Sequence, residues 1–299
     1  MKVLSFGSLN IDFLFYVDHI ASAGETISSS ALVKSAGGKG ANQAAALAKA
    51  GLPVYMAGKI GRDGRFLLEL LESYGINTDN VFQYEGATGQ AIIQIEKSGQ
   101  NSIVLYSGGN GEITREEIYK TICKFSEGDI IVLQNEIVNL KLIMECAKKQ
   151  GMRICINPSP FNETVQALPL NLADWLFVNE IEGSSLAQLP CSASPADIDL
   201  HITMDHLVKR FPEQEIILTA GKNGSFYGCG DTRIKCEIVN RPVVDTTGAG
   251  DTYTGFFLAS RARNYNVEKA MAAASKAASL AVSRKGAMES IPMANEVFD

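Results

Sequence analysis

Six runs of the chain are apolar almost without interruption: VLSFGS at 3–8, VYMAGKIG at 54–61, DIIVLQNE at 129–136, RICINPS at 153–159, DWLFVNE at 174–180 and EIILTAG at 215–221. A strand with a solvated face alternates polar and apolar positions; these do not, so both faces of their sheet are covered. Between them the apolar residues recur at helical spacing, at 39–50, 64–74, 114–124, 139–150, 203–211, 249–263 and 267–283. Alternation of strand and helix predicts an α/β fold, a mostly parallel central sheet with crossover helices on both faces.

Two segments, 12–34 and 85–107, follow a different rule. TGQAIIQIE alternates, and Gly86, Gly89, Gly99 and Asn101 supply turns. This predicts half-exposed antiparallel strands, too short for a domain of their own. They are expected to form one small sheet, a lid on a single domain spanning 1–299. PCSASPADID at 190–199 reads as a surface loop. In open α/β sheets the ligand sits at the carboxyl ends of the strands. That expectation gathers Asn10, Asp12, Glu136, Asn157, Asn179, Glu180, Gly221 and segment 245–251 around one cleft.

Composition narrows the chemistry. The net charge of −6 argues against nucleic acid and anionic membranes as partners. No apolar run reaches the ~18 residues of a membrane span. The start, MKVLSFGSLNID, turns polar too early for a secretory signal, so a cytoplasmic protein is expected. Cys123, Cys146, Cys155, Cys191, Cys229 and Cys236 form no CxxC and are expected as free thiols. With only His19, His201 and His206 and no HExxH, neither a His-based zinc site nor a Ser-His-Asp triad is expected.

The strongest chemical signal is DTTGAGDTYTGFF at 245–257. Gly248, Ala249 and Gly250 lack bulk, so their N–H groups can approach an anion at a helix N-terminus. Asp251 in the first turn suits a base that takes a proton from an attacking hydroxyl, or a carboxylate that merely offsets the helix dipole. SLNIDF puts Ser8, Asn10 and Asp12 on one strand face, either for sugar hydroxyls or as a solvated edge. GGKGAN at 37–42 lacks the spacing of a phosphate-binding P-loop; alone it reads as a tight turn with close helix packing.

Together these motifs resemble the ribokinase-like (PfkB-type) carbohydrate kinases over essentially the whole length. GSLNID, GGKGANQA, GRDG at 61–64, the Glu of LQNE, NPSP at 157–160, NEIE at 179–182, TAGKNGS at 219–225, DTTGAGDTYTG and SRKGA at 283–287 occur in that order. GGKGANQA and DTTGAGD are highly specific to the family. The resemblance implies an ATP-dependent phosphotransferase acting on the primary hydroxyl of a small sugar, foremost D-ribose to ribose 5-phosphate. It implies that Asn10, Asp12, Gly38, Lys39, Asn42 and Glu136 hold the sugar. Asp251 is then the base, and Gly248, Ala249 and Gly250 are the anion hole. Thr219, Ala220, Gly221, Lys222, Asn223 and Gly224 are expected along the nucleotide, with Asn179, Gly250 and Ser275.

Asn179 and Glu182 match the family's NxxE pattern and imply Mg²⁺ near the phosphates. The resemblance further implies an activating K⁺ near Asp245, Thr247, Ala281, Arg284, Gly286 and Ser290, and a homodimer through the lid sheet. Ser275 departs from the Asn or His usual beside the adenine. Ser159 stands where alanine is common, and Glu289 sits within the cation loop. A kinase of another sugar or of a nucleoside, and a sugar-binding protein without catalysis, are the alternatives.

Overall fold

A computed structural model describes residues 1–98, 100–190, 194 and 197–298. Gly99, Cys191 and half of the expected loop at 190–199 therefore lie outside the described residues. The chain opens with β1 (Val3–Phe6), then leaves the main sheet for β2 (Asn10–Val17) and β3 (Ala31–Gly37). It returns through α1 (Lys39–Lys49), β4 (Val54–Ile60), α2 (Arg65–Ser73) and β5 (Asn77–Gln83). A second excursion makes β6 (Gly89–Glu96) and β7 (Asn101–Tyr106). Then follow α3 (Arg115–Ile122), β8 (Ile130–Gln134), α4 (Leu140–Lys149), β9 (Arg153–Asn157), β10 (Trp175–Asn179) and α5 (Glu180–Leu186). The last third holds α6 (Leu200–Arg210), β11 (Glu215–Thr219), the hairpin β12 (Ser225–Cys229) and β13 (Thr232–Cys236), α7 (Ala249–Ala262), α8 (Val267–Val282) and α9 (Ala294–Val297).

Among the described residues the main sheet has nine strands in the order β13-β12-β11-β10-β9-β8-β1-β4-β5. All neighbours are parallel except the β11–β12 and β12–β13 pairs. The continuous apolar runs have the expected cause. Val3, Trp175 and Phe177 face a layer made by α1, α2, α7 and α8, whereas Leu4, Phe6, Leu176 and Val178 face α3, α4 and α6. Successive residues of one strand point to opposite faces, so both cores draw on the same strands.

The small sheet is four-stranded, in the order β3-β2-β6-β7. Its central pair, β2 and β6, is parallel, while β3 and β7 flank antiparallel. Leu32, Ile103, Val104 and Tyr106 are exposed on it; Val104 retains 61% of its accessible surface. Five elements escape the sequence reading: β5, NTDNVFQ, is a polar edge strand, β12 and β13 form a short, half-exposed hairpin, and α5 and α9 are too brief to show a period. The β-like run PVV before the glycine-rich helix start is irregular chain. Its Val244 N–H donates to the Val282 carbonyl at 2.7 Å and moors it to the end of α8.

Two close approaches set the site. Gly38 has φ 94°, a left-handed turn that aims α1 back at β1. A Cβ on Gly40 would stand 2.5 Å from backbone atoms of Gly7 and Ser8, so the start of α1 rests on the end of β1. On α7, a Cβ on Gly255 would stand 2.5 Å from the Ala46 Cβ. Alanines and glycine thus bring α1 and α7 together, and the heads of the two helices face the same end of the sheet.

Candidate active site

At the carboxyl ends of the central strands lies a cleft of about 230 Å³. Its lining includes Lys39 from the head of α1, Glu182 from α5, Thr219 from the end of β11, and the Gly248–Asp251 head of α7. Asn157, Ser159 and Asn179, from the ends of β9 and β10, complete the floor. Of the residues expected there, Asn157, Asn179 and much of segment 245–251 line the cleft, while Asn10, Asp12, Glu136, Glu180 and Gly221 stand outside the lining.

Asp251 is buried, 8% exposed, at the third position of α7. Among the described residues its carboxylate accepts no bond from its own helix. Instead its carboxylate accepts from Asn42 Nδ2 at 3.1 Å and from Gln43 Nε2 at 2.9 Å, both on α1. The amide of Ala249 is occupied by the Thr246 carbonyl, whereas those of Gly250 and Asp251 have no backbone partner among the described residues. Free amides at a helix N-terminus attract an anion. A Cβ on Gly250 would find nothing within 4 Å. The head of α7 is an open cradle with a carboxylate beside it.

Next to it lies a set of hydrogen-bond acceptors. Glu136 accepts from the Ser8 hydroxyl in a very short bond and from the Lys39 N–H at 3.2 Å. Asn10 is fixed by Asn110, whose Nδ2 donates to Asn10 Oδ1 at 2.8 Å. The Asp12 carboxylate lies against Gly37, at the place a Cβ there would fill. Burial, and then the charge of Glu136, push Asp12 up to a pKa of about 7. No hydrogen bond to its side chain exists among the described residues, and the buried Asn42 Oδ1 also lacks a partner. Lys39 feels burial first, which opposes its charge. Asp251, Glu136 and Glu182 more than offset that and raise its pKa.

Other expected residues are placed less directly. Asn179 and Glu182 form a capping box on α5: Asn179 N–H donates to Glu182 Oε2 at 3.0 Å, and Glu182 N–H to Asn179 Oδ1 at 2.8 Å. Asn179 therefore spends its carbonyl on the helix and orients Glu182, which is 5% exposed. Thr219 lines the cleft. Beyond it, Ala220 is buried and Gly221, Lys222 and Asn223 form an exposed 3₁₀ turn closed by Gly224, away from the lining. Ser275 is buried on α8, donating to the Glu237 carbonyl at 3.1 Å, and does not reach the cleft.

The two segments expected around a monovalent cation do meet. Asp245 accepts from Thr247 N–H at 2.9 Å and from Gly286 N–H at 3.1 Å. Partial burial opposes its charge, but these donors and the nearby Lys285 hold its pKa below the usual carboxylate value. Ala281 accepts from Arg284 N–H, Arg284 pairs with Glu296, and Ser290 donates to the Ala287 carbonyl at 2.8 Å.

Sequence reasoning missed Gln43, Gln134 and Asn110. Gln43 lies inside the GGKGANQA motif, yet its partner Asp251 is 208 residues away. Gln134 breaks an apolar strand, which was the one available signal. Among the described residues no cluster of three or more His, Cys, Asp or Glu could cage a metal, and no helix is long and apolar enough to cross a membrane.

Residues 1–294 match the pfkB family carbohydrate kinases. The chain is 32% identical to a ribokinase of Staphylococcus aureus (strain COL) over 306 residues, covering 99% of this chain and 98% of that one. It is 30% identical to a deoxyribokinase of Salmonella typhi over 304 residues, covering 98% of this chain and 96% of that one. The structure of Arabidopsis thaliana ribokinase complexed with ribose and ATP superposes with a TM-score of 0.84 at 29% identity, over 99% of this chain and 96% of that one.

Proposed function

The chain belongs to the pfkB family of carbohydrate kinases, and we propose that it transfers the γ-phosphoryl group of ATP to the primary hydroxyl of D-ribose. One observation carries the reading: a buried carboxylate, Asp251, is held by two α1 amides beside an open anion cradle and next to a set of acceptors awaiting hydroxyl donors. Asp12 and Asn42 Oδ1 lack donors, and a sugar hydroxyl supplies one to each. Gly38 shapes the turn that puts Lys39 in the cleft. Asn10 and Glu136 complete the polyol site.

In this reading Asp251 takes the proton from the attacking hydroxyl as its oxygen closes on phosphorus. The bond to the leaving ADP oxygen breaks in line. The amides of Gly248 and Gly250 hold the charge on the transferring group, with Lys39 alongside, while the Ala249 amide is taken by the Thr246 carbonyl. Thr219 to Gly224 flank the nucleotide. Asn157 and Ser159 line the floor between the two substrates.

Mg²⁺ with ATP keeps most of its shell as water and phosphate oxygen, so one carboxylate suffices to hold it. Glu182, set by Asn179, fits. K⁺ suits the junction of Asp245 and Thr247 with Ala281, Arg284, Gly286 and Ser290, where its charge would steady the α7 head. The small sheet acts as a lid on the sugar, and its apolar face fits a homodimer. The five described cysteines are free thiols, which suits the reducing cytoplasm.

The test is ADP release over a panel of pentoses, hexoses and nucleosides. Ribose is expected to give the highest kcat/KM. A second reading, 2-deoxyribose as acceptor, is favoured by the deoxyribokinase relative, and higher kcat/KM with that sugar would replace the first.

A further inference from the structure

The Asp251 carboxylate stands at the end of a chain of buried amides. Gln43 Nε2 donates to Asp251 Oδ1 at 2.9 Å, and Gln134 Nε2 donates to Gln43 Oε1 at 2.7 Å. Gln43 is 1% and Gln134 0% exposed, and neither lines the cleft. They cannot touch sugar or nucleotide.

One charge dictates every orientation in this chain. An ionised carboxylate only accepts, so Gln43 must present its NH₂ group to Asp251. Its carbonyl then points back to Gln134, which must present NH₂ in turn. Gln134 Oε1 is left at the far end as a buried acceptor without a partner. An orphaned buried acceptor is destabilising. An apolar side chain at 134 would remove it, and would also remove the donor that keeps Gln43 turned toward the base.

We propose that Gln43 and Gln134 are positioning residues: a two-amide relay that fixes the plane of the Asp251 carboxylate and keeps it a proton acceptor aimed at the substrate hydroxyl. This rests on Asp251 being the base. The two donors, Asn42 on Oδ2 and Gln43 on Oδ1, engage opposite oxygens and so lock rotation about the Cβ–Cγ bond. Gln134, the last residue of β8, anchors the relay in the rigid centre of the sheet.

The test uses four variants of the full chain: Gln43→Met, Gln134→Met, Asp251→Asn and the Gln43→Met/Asp251→Asn double variant. Each is assayed with ATP and the best acceptor sugar of the panel, with kcat, both KM values, single-turnover rates and melting temperature recorded. Methionine keeps length and removes the amide. Loss of a hydrogen bond to a charged group predicts a kcat fall of about 10- to 100-fold in Gln43→Met. Loss of the neutral bond behind it predicts about two- to tenfold in Gln134→Met. Both KM values should stay within about twofold, because neither residue touches a ligand.

In the double variant the Gln43 change should cost no further rate, since no anionic base remains to be held. A purely structural role predicts the opposite, an equal fall in both backgrounds, and that result overturns the relay. So does a kcat within twofold of wild type in Gln43→Met, or in Gln134→Met if Gln43→Met does not fold. Near-normal turnover in Asp251→Asn alone overturns the base assignment itself, a separate failure read from a separate variant.

Discussion

The two glycine-rich helix starts, GGKGAN before α1 and TTGAGD before α7, look alike in composition and are put to opposite uses. At the first, a methyl on Gly40 has no room, since backbone of Gly7 and Ser8 lies 2.5 Å from where it would stand. At the second, a methyl on Gly250 meets nothing within 4 Å. The space released by missing side chains is filled by the protein in one case and left open in the other. Glycine in a motif therefore signals close approach without saying of what. Only the neighbour, a strand end or a void beside a carboxylate, separates a packing glycine from a ligand-facing one.

The comparison is broken most severely at Asp251. Asp251→Asn keeps shape and removes the proton acceptor, so kcat should fall by about 10²–10⁴-fold with ATP affinity little changed. Steady-state kinetics and a melting curve check it, and near-normal kcat on an intact fold would sink the open-cradle reading of α7.

A paired substitution comes next. Gly250→Ala should fold with an unchanged melting temperature, because alanine is the better helix former, yet lose about 10²–10³-fold in kcat/KM as the methyl enters the cradle. Gly40→Ala should do the reverse, destabilising by about 1–3 kcal/mol or more through overpacking. If both variants lose stability alike, the contrast between the two starts fails.

Smaller effects sharpen the α1 side. Asp12 has its pKa raised to about 7 in the folded chain, from an ordinary value of 3.8. The folded state thus holds the proton more tightly, so Asp12 lowers stability progressively as pH rises between those values, and fully above them. Asp12→Asn should raise the melting temperature near pH 8, leave it nearly unchanged near pH 4, and weaken sugar binding by about 1–3 kcal/mol. Melting curves at both pH values with calorimetric sugar titration decide it; an unchanged sugar affinity removes Asp12 from the site.

The smallest expected effect lies on the α7 side. Turnover should rise with K⁺ more than with Na⁺, and Asp245→Ala should flatten that response. Equal rates in K⁺ and in a bulky organic cation would discard the cation junction.

The main sheet was legible because burial on both faces leaves a direct trace, a run without polar interruption. The same rule hides what lies at the margins. β5 and β13 face solvent along much of their length and read as loops. The candidate carboxylates and the glycine-rich head of α7 stand out in the sequence because charged and small residues break the apolar pattern at strand ends. The amides were not. Gln43 and Gln134 acquire meaning through partners 208 and 91 residues away, and no local pattern records such a pairing. Asp251 shows the limit from the other side. Its position in the first turn allows a dipole role, and only the structure shows its carboxylate accepting from Asn42 and Gln43 on α1.

The division into two sheets has a consequence for how such a molecule changes over generations. The acceptor contacts proposed for Asn10 and Asp12 lie on β2, in a small sheet that exposes Leu32, Ile103, Val104 and Tyr106. Asp251, the Asn42 and Gln43 amides that hold it and the open head of α7 lie on α1 and α7, where a Cβ on Gly255 would stand 2.5 Å from the Ala46 Cβ. Substitutions along β2 and β6 can therefore remodel the outline of the acceptor while the transfer chemistry is inherited intact. A lineage can acquire a new substrate by drift in a peripheral strand, without passing through a form that has forgotten how to move a phosphoryl group.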